Sequence, residues 1–263
     1  MPNKNHKIVL IGAGNVATQL GLALKKAQHN ILQVVSLHPS SAEELATKLK
    51  SKFTTHPEKI NLSADIYIIA VNDKAISKVV KYLKTENKII VHTSGATDMN
   101  VLRKASDNYG VFYPLQTFSK NRTIDFSNVP IILEASNEKT FDTLQQLGNS
   151  ISKNDVKGAN SKKRKAIHLA AVFANNFTNH MFAIAESILS EHAEGIDLLI
   201  PLIKETSAKI EERSPVFMQT GPAIRGDKKT MKAHLKLLTE NRDYQKIYEL
   251  LSKSIIKSKQ KNK

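Results

Sequence analysis

The sequence contains no cysteine. That excludes disulfides, thiolate metal sites and a cysteine nucleophile, and it fits a reducing compartment. Long apolar runs are missing too: nothing approaches the ~20 consecutive residues of a membrane helix. The stretch Met1-Pro2-Asn3-Lys4-Asn5-His6 leads straight into a strand and leaves no room for a signal peptide, so a cytoplasmic protein is expected. The N-x-S/T sequons at Asn61, Asn121 and Asn176 then carry no meaning. His168, His180, His192 and His234 lack zinc-like spacing, and no metal is expected. Acidic residues are scarce, 24 Asp+Glu against 39 Lys+Arg, for a formal net charge of +15. Such a balance fits nucleic-acid binding. No basic–aromatic interleaving, helix-turn-helix or zinc-finger spacing accompanies it. Lys253, Lys257, Lys259, Lys261 and Lys263 crowd the last eleven residues and read as a solvated tail, so nucleic acid is not the expected partner. A positive field also attracts an anionic cofactor or substrate.

What the sequence does have is a strand–glycine turn–helix unit at its start. Ile8 to Ile11 is an unbroken apolar run, the pattern of a strand buried on both faces. Gly12-Ala13-Gly14-Asn15-Val16-Ala17 follows and fits G-x-G-x-x-G/A, with Val16, Leu20, Ala23 and Leu24 at helical spacing behind it. Gly12 permits the tight turn, Gly14 lets a pyrophosphate approach the backbone, and Ala17 keeps helix and sheet close. The free N–H groups and positive dipole end of the helix then face the phosphates, with Asn15 and Val16 at their edge. The turn alone would also serve a strand–helix junction with no ligand.

Further apolar runs at 31–37, 66–71, 88–92, 110–114 and 129–133, with a short one at 53–55, alternate with helical patterns over the first ~150 residues. This alternation predicts parallel βαβ units with helices on both faces of the sheet. Ser41 to about Lys50 reads as a helix, with Glu44 completing a capping box. From 161 to 192 the pattern is helical, then again over 196–213, 228–240 and 244–256, with a loop at 214–227. The expected architecture is α/β: a doubly wound parallel sheet of the dinucleotide-binding type over 1–156, then an all-α domain over 157–263.

Ligands of such a sheet bind at the carboxyl ends of its strands. Behind the second strand, Ser36, His38, Ser40 and Ser41 stand where an NAD enzyme carries an acid for the ribose 2′-OH, and no acid occurs between Ile31 and Ala42. Hydroxyls there can donate to a 2′-phosphate, which favours NADP(H) over NAD(H); the same serines can simply cap a helix. Asn72 lies on the cofactor's ribose side or caps the helix after it. In His92-Thr93-Ser94-Gly95, a glycine lets a ligand approach, and Ser94 can bond the nicotinamide amide or a substrate oxygen. His92 reads as a satisfied histidine at a strand end. In an unbroken α-helix His168, Asn175 and Asn179 fall within about 20° of one face. Histidine titrates near neutral pH and suits a general acid; Asn175 and Asn179 suit the orienting of a carbonyl, imine or hydroxyl. A polar network between subunits would use the same face. Arg225 can clamp a substrate carboxylate or phosphate, and Asp227 can cap the helix that follows.

Taken together, Gly12-Ala13-Gly14-Asn15-Val16-Ala17, His92-Thr93-Ser94-Gly95, Tyr113-Pro114-Leu115-Gln116-Thr117-Phe118, His168 to Phe177 and Thr220 to Asp227 resemble a known family over nearly the full length. It is that of the Rossmann-like oxidoreductases whose C-terminal half is a domain of unknown function, DUF2520. The first half also resembles the NADP-binding half of the pyrroline-5-carboxylate reductase and 3-hydroxyisobutyrate dehydrogenase superfamily. The resemblance implies an NADP-dependent oxidoreductase, a homodimer, with a helical C-terminal domain and a small-molecule substrate. Hydroxyacid dehydrogenases of that superfamily carry a catalytic lysine four residues before an asparagine. Here Ala171 precedes Asn175 by four and Val172 precedes Asn176 by four. The lysine route to hydroxyacid oxidation is therefore missing, while reduction of a carbonyl or imine stays open. In that reading His168 donates the proton, Asn175 and Ser94 orient the substrate, and Arg225 and Asn179 bind it. The alternative is a non-catalytic NADP-binding sensor or regulatory protein.

Overall fold

The computed structural model describes residues 5–122 and 124–261, with backbone only for the last three of these. The expected turn unit is present as strand β1 (Lys7–Ile11) and helix α1 (Asn15–Lys26). The order continues with β2 (Asn30–Val35), α2 (Pro39–Leu49), β3 (Lys52–Thr54), β4 (Ile66–Ile69), α3 (Asp73–Val80), β5 (Ile89–His92), β6 (Tyr109–Pro114), β7 (Ile131–Ala135), α4 (Glu138–Ile151) and β8 (Val156–Gly158). Together the strands form one eight-stranded sheet in the order β3-β2-β1-β4-β5-β6-β7-β8.

Alternation along the strands explains the two faces. Ile8 and Leu10 of β1 join Leu20, Leu24, Leu45 and Leu144 in one apolar layer. Val9 and Ile11 join Tyr67, Ile69, Ile76 and Leu83 in the other. A strand covered on both sides has to be apolar throughout, and Ile66 to Ile69 are all fully buried. The strand order reverses between β1 and β4, which pair in parallel from Ile8↔Ile66 to Ile11↔Ile69. That switch point opens a crevice at the carboxyl ends of the two strands.

Two expectations shift. The sheet is parallel through β6, but β6 and β7 pair antiparallel, Tyr113 opposite Ile132. Among the described residues between Pro114 and Ile131 a single 3₁₀ turn, Phe126–Asn128, forms. Lacking a crossover helix, the chain doubles back beside itself. Helix α2 begins at Pro39 rather than Ser41, since proline's fixed φ suits the first helical position. Glu44 makes no capping box and pairs with Lys48 at 2.7 Å instead.

The remaining helices are α5 (Ser161–Ala171), α6 (Thr178–Ser190), α7 (Ile200–Glu212), α8 (Pro215–Met218), α9 (Pro222–Arg225), α10 (Lys228–Leu237) and α11 (Arg242–Lys261), with a π-helical turn at Val172–Phe177 between α5 and α6. The loop expected at 214–227 thus holds two short helices. The lysine-rich end forms the last part of α11 up to Lys261; Lys263 lies outside the described residues.

The chain divides into two compact units, 1–175 and 176–263. The sequence reading places the division at 156/157. The difference is α5, which ion-pairs with the sheet through Arg164 and so belongs with it. Among the described residues of 176–258, Ala223 alone is buried. No helix of the described residues is long and apolar enough to cross a membrane.

Candidate active site

The glycine turn has the shape a diphosphate needs. Gly12 adopts φ +116°, and a Cβ there would lie 2.2 Å from the Ala70 carbonyl oxygen. Only glycine fits, and its N–H donates to the Val35 carbonyl at 2.7 Å, tying the turn to the end of β2. Gly14 differs: a Cβ there would meet nothing within 4 Å. Open space therefore lies against its backbone. No side chain caps α1 and no acid sits in its first turn. The first N–H groups of a helix have no partner within it, so Asn15, Val16 and Ala17 offer donors to an anion in this open space. Ala17 is fully buried between helix and sheet. By contrast α3, α4, α5 and α10 are each capped by a side chain, from Asn72, Asn137, Asn160 and Asp227. The residues present fit a dinucleotide's phosphates.

Beside it, after β2, Ser36 accepts from the His38 N–H at 3.3 Å and keeps its own hydroxyl proton. His38 and Ser40 are exposed, and α2 has no side-chain cap, so neither serves that purpose. Asn72 accepts from the Ala75 N–H at 3.1 Å, the capping role. One lone pair of its oxygen is thereby used; the other, and the amide N–H groups, remain for a ribose.

At the ends of β5 and β6 the structure assembles a polar cluster. His168 of α5 stands 3.0 Å from the Tyr113 hydroxyl through Nδ1. Gly95 packs against the same ring, and a Cβ there would sit 2.6 Å from Nδ1. Glycine at 95 thus admits the imidazole. Arg164, one turn earlier on α5 and wholly buried, donates from Nη1 to the carbonyls of Ser94 at 3.1 Å and Gly95 at 2.9 Å. Its Nε and Nη2 reach Glu134 Oε2 at 3.1 and 2.9 Å. The guanidinium fixes both α5 and the 94–95 turn, and so the place of His168. Burial pushes the Tyr113 hydroxyl up, against the pull of the Arg164 charge, so the phenol keeps its proton through neutral pH.

Several expected residues have other work. Ser94 Oγ accepts from the N–H groups of Ala96 at 3.1 Å and Thr97 at 2.9 Å, and donates to Thr97 Oγ1 at 3.0 Å. A hydroxyl has one proton and two lone pairs, so Ser94 is saturated by its own turn, and the ligand-orienting role expected of it gives way to a turn-closing one. His92 is half satisfied: Nδ1 accepts from the Ser94 N–H at 3.1 Å, while buried Nε2 has no partner. Burial first, and the Arg164 charge second, lower its pKa to about 4. Asn175 lies within the π turn and is exposed, and Asn179 is exposed beyond it. The 3.6-residue repeat that put them on the face of His168 does not run through a π turn. Arg225 ends the short helix α9 and is exposed; Asp227 caps α10, accepting from the Thr230 N–H at 3.0 Å.

Sequence reasoning missed Tyr113, Arg164, Glu134 and the side chain of Lys120, which reaches Ser41 Oγ at 3.4 Å. Arg164 carries a faint signal, being one helical turn before His168. Lys120 carries none, because its neighbours are set by a loop.

A Rossmann-like domain matches residues 2–116, and the domain of unknown function DUF2520 matches residues 129–255. No functionally curated protein matches the chain. Among solved structures, it is similar to BF3122 of Bacteroides fragilis, a candidate NADP oxidoreductase, with 42% identity and TM-score 0.91 over 96% of this chain and 98% of that one. At the level of fold it is similar to the reductive aminase of Aspergillus terreus, solved with NADPH and ethyl levulinate (11% identity, TM-score 0.72, 98% and 95% covered). The same holds for 1-pyrroline-5-carboxylate reductase of Streptococcus pyogenes (14% identity, TM-score 0.61, 97% and 99% covered).

Proposed function

The chain belongs to the family of Rossmann-like proteins that carry the DUF2520 domain, and from that premise we propose that it is an NADP(H)-dependent oxidoreductase acting on a small carbonyl, hydroxy or imine substrate. One observation carries the reading: the His168–Tyr113 pair stands at the same sheet edge as the open space at Gly14. Parallel strands β1, β4, β5 and β6 all end there, spaced about 4.8 Å apart. Bound NADPH supplies hydride to an electrophilic carbon.

The chain's own residues supply the rest. N–H groups of Asn15, Val16 and Ala17 hold the diphosphate, and Ser36, His38, Ser40 and Asn72 border its sugar side. His168 manages the proton. A tyrosine hydroxyl can donate or accept, so Tyr113 serves Nδ1 of either charge state. Toward neutral imidazole it donates, leaving the ring's proton on Nε2. Toward imidazolium it accepts from Nδ1–H, and Nε2–H is the proton handed to the substrate oxygen or nitrogen. Ring orientation is held by Gly95 on one side and by the Arg164 anchor below.

A homodimer, placed in the cytoplasm, completes the proposal. Support for the dimer is the unit 176–263, where Leu198, Leu202, Phe217, Leu237 and Leu250 are all more than 60% exposed. Apolar surface on this scale fits a subunit interface.

The test is calorimetric titration with NADPH and NADH, followed by a panel of small ketones, 2-oxo acids and cyclic imines. NADPH should bind, and His168→Ala should keep that affinity while kcat falls about 100-fold or more. Absence of heat with both nucleotides refutes the proposal. Binding without turnover across the panel favours the sensor reading.

A further inference from the structure

The reading of NADP(H) leaves a charge unanswered. The loop after β2 offers Ser36, His38, Ser40 and Ser41 to a 2′-phosphate, but no arginine or lysine occurs between Ile31 and Ala42. A dianion held by hydroxyls alone gains little over water. The fold delivers a cation from elsewhere. Lys120, on the connection between β6 and β7, places Nζ 3.4 Å from Ser41 Oγ.

This placement is built rather than incidental. Gln19 of α1 is buried, and its Nε2 donates to the carbonyl of Ser119 at 2.7 Å and to that of Arg122 at 3.0 Å. These two bonds bracket Lys120 and pin its loop to α1. Phe118 stacks on Phe126 with ring centroids 5.8 Å apart, fixing the loop from its other end. The nearby acid is already paired: Glu44 binds Lys48 at 2.7 Å. Glu44 also feels the Lys120 charge, after that of Lys48, but its direct ion pair is with Lys48, which leaves the Lys120 ammonium to the hydroxyl of Ser41. The antiparallel return of β7 makes this possible, because the connection runs over the carboxyl edge of the sheet instead of folding into a crossover helix.

We propose that Lys120 is the counter-ion of the cofactor's 2′-phosphate and the residue that makes this chain select NADP(H) over NAD(H). It acts with the hydroxyls of Ser40 and Ser41, and Gln19 is the positioning residue that holds its loop. The inference rests on the nucleotide reading above.

Its test compares 2′,5′-ADP with ADP, and NADPH with NADH, by calorimetry on wild type, Lys120→Gln and Lys120→Arg. Losing one charge-assisted bond should weaken 2′,5′-ADP and NADPH about 10- to 100-fold in Lys120→Gln. ADP and NADH should change less than about twofold, and Lys120→Arg should recover most of the loss. Gln19→Leu should weaken NADPH but leave NADH nearly unchanged. Unaltered melting temperature confirms that each variant folds. If Lys120→Gln keeps the wild-type preference for NADPH, or if wild type has none, Lys120 is not the selector, while the oxidoreductase reading stands. If wild type binds neither nucleotide, both fall.

Discussion

The guanidinium of Arg164 meets the carboxylate of Glu134 at 2.9 Å with none of its side chain exposed to water. Two of its remaining N–H bonds go to the Ser94 and Gly95 carbonyls. Removing one partner of a buried pair strands the other charge, at a cost of about 3–5 kcal/mol. Arg164→Met should lower unfolding free energy by that amount in urea titrations. Arg164→Lys should recover little of it, because an ammonium cannot reach carboxylate and two carbonyls in one plane. A loss below 1 kcal/mol would show that the pair anchors nothing.

Tyr113→Phe removes the hydroxyl that addresses His168 Nδ1 at 3.0 Å. The ring should then populate both tautomers, visible in long-range proton–nitrogen spectra of labelled histidine. On a confirmed substrate kcat should fall about 10- to 100-fold with NADPH affinity unchanged. Unchanged tautomer populations would remove Tyr113 from the site.

The two glycines of the opening turn should respond differently to alanine. At Gly12 the added carbon meets the Ala70 carbonyl and a positive φ. Gly12→Ala should therefore lower the melting temperature by many degrees or abolish soluble protein. At Gly14 φ is −84° and nothing obstructs a Cβ. Gly14→Ala should fold normally yet lose most nucleotide affinity, since the carbon occupies the approach of the phosphates. Tight binding by folded Gly14→Ala would place the phosphates elsewhere.

Acid should destabilise the fold through two histidines. Burial, then the Arg164 charge, brings His92 to about 4 from the ordinary 6.5. Burial, then neighbouring His6, brings His29 to about 4 from the same value. His29 Nδ1 accepts from the His6 N–H at 3.2 Å, so a proton on Nδ1 would break that bond. Between pH 6.5 and 4 the unfolded chain binds protons that the folded chain refuses, so stability rises with pH. The contribution is complete above about 6.5 and is lost as pH falls toward 4. For His92 it is on the order of 3 kcal/mol. Calorimetric melting temperatures should drop steadily across this window, and His29→Asn should flatten part of the slope. Equal melting temperatures at pH 7.5 and 4.5 would contradict the assignment.

Local rules made much of this molecule readable from its sequence. The apolar run before Gly12 and the small residues after it specify the strand, the turn and the open space at Gly14 without reference to anything distant. Asn72 and Asp227 were readable as caps for the same reason. Contacts between remote segments were not readable: Tyr113 with His168, Arg164 with Glu134, and Lys120 with Ser41 are separated by 55, 30 and 79 positions. The π turn defeated the helical wheel, because one wider turn puts every later residue out of phase. Ser94 illustrates a third limit, since a free hydroxyl and one consumed by its own turn look alike in sequence.

The single buried side chain between 176 and 258 has a thermodynamic consequence. If the apolar helices there find their cover on a second chain, association and folding become one equilibrium. The melting temperature should then climb with protein concentration, and dilution should act on the molecule as a denaturant does.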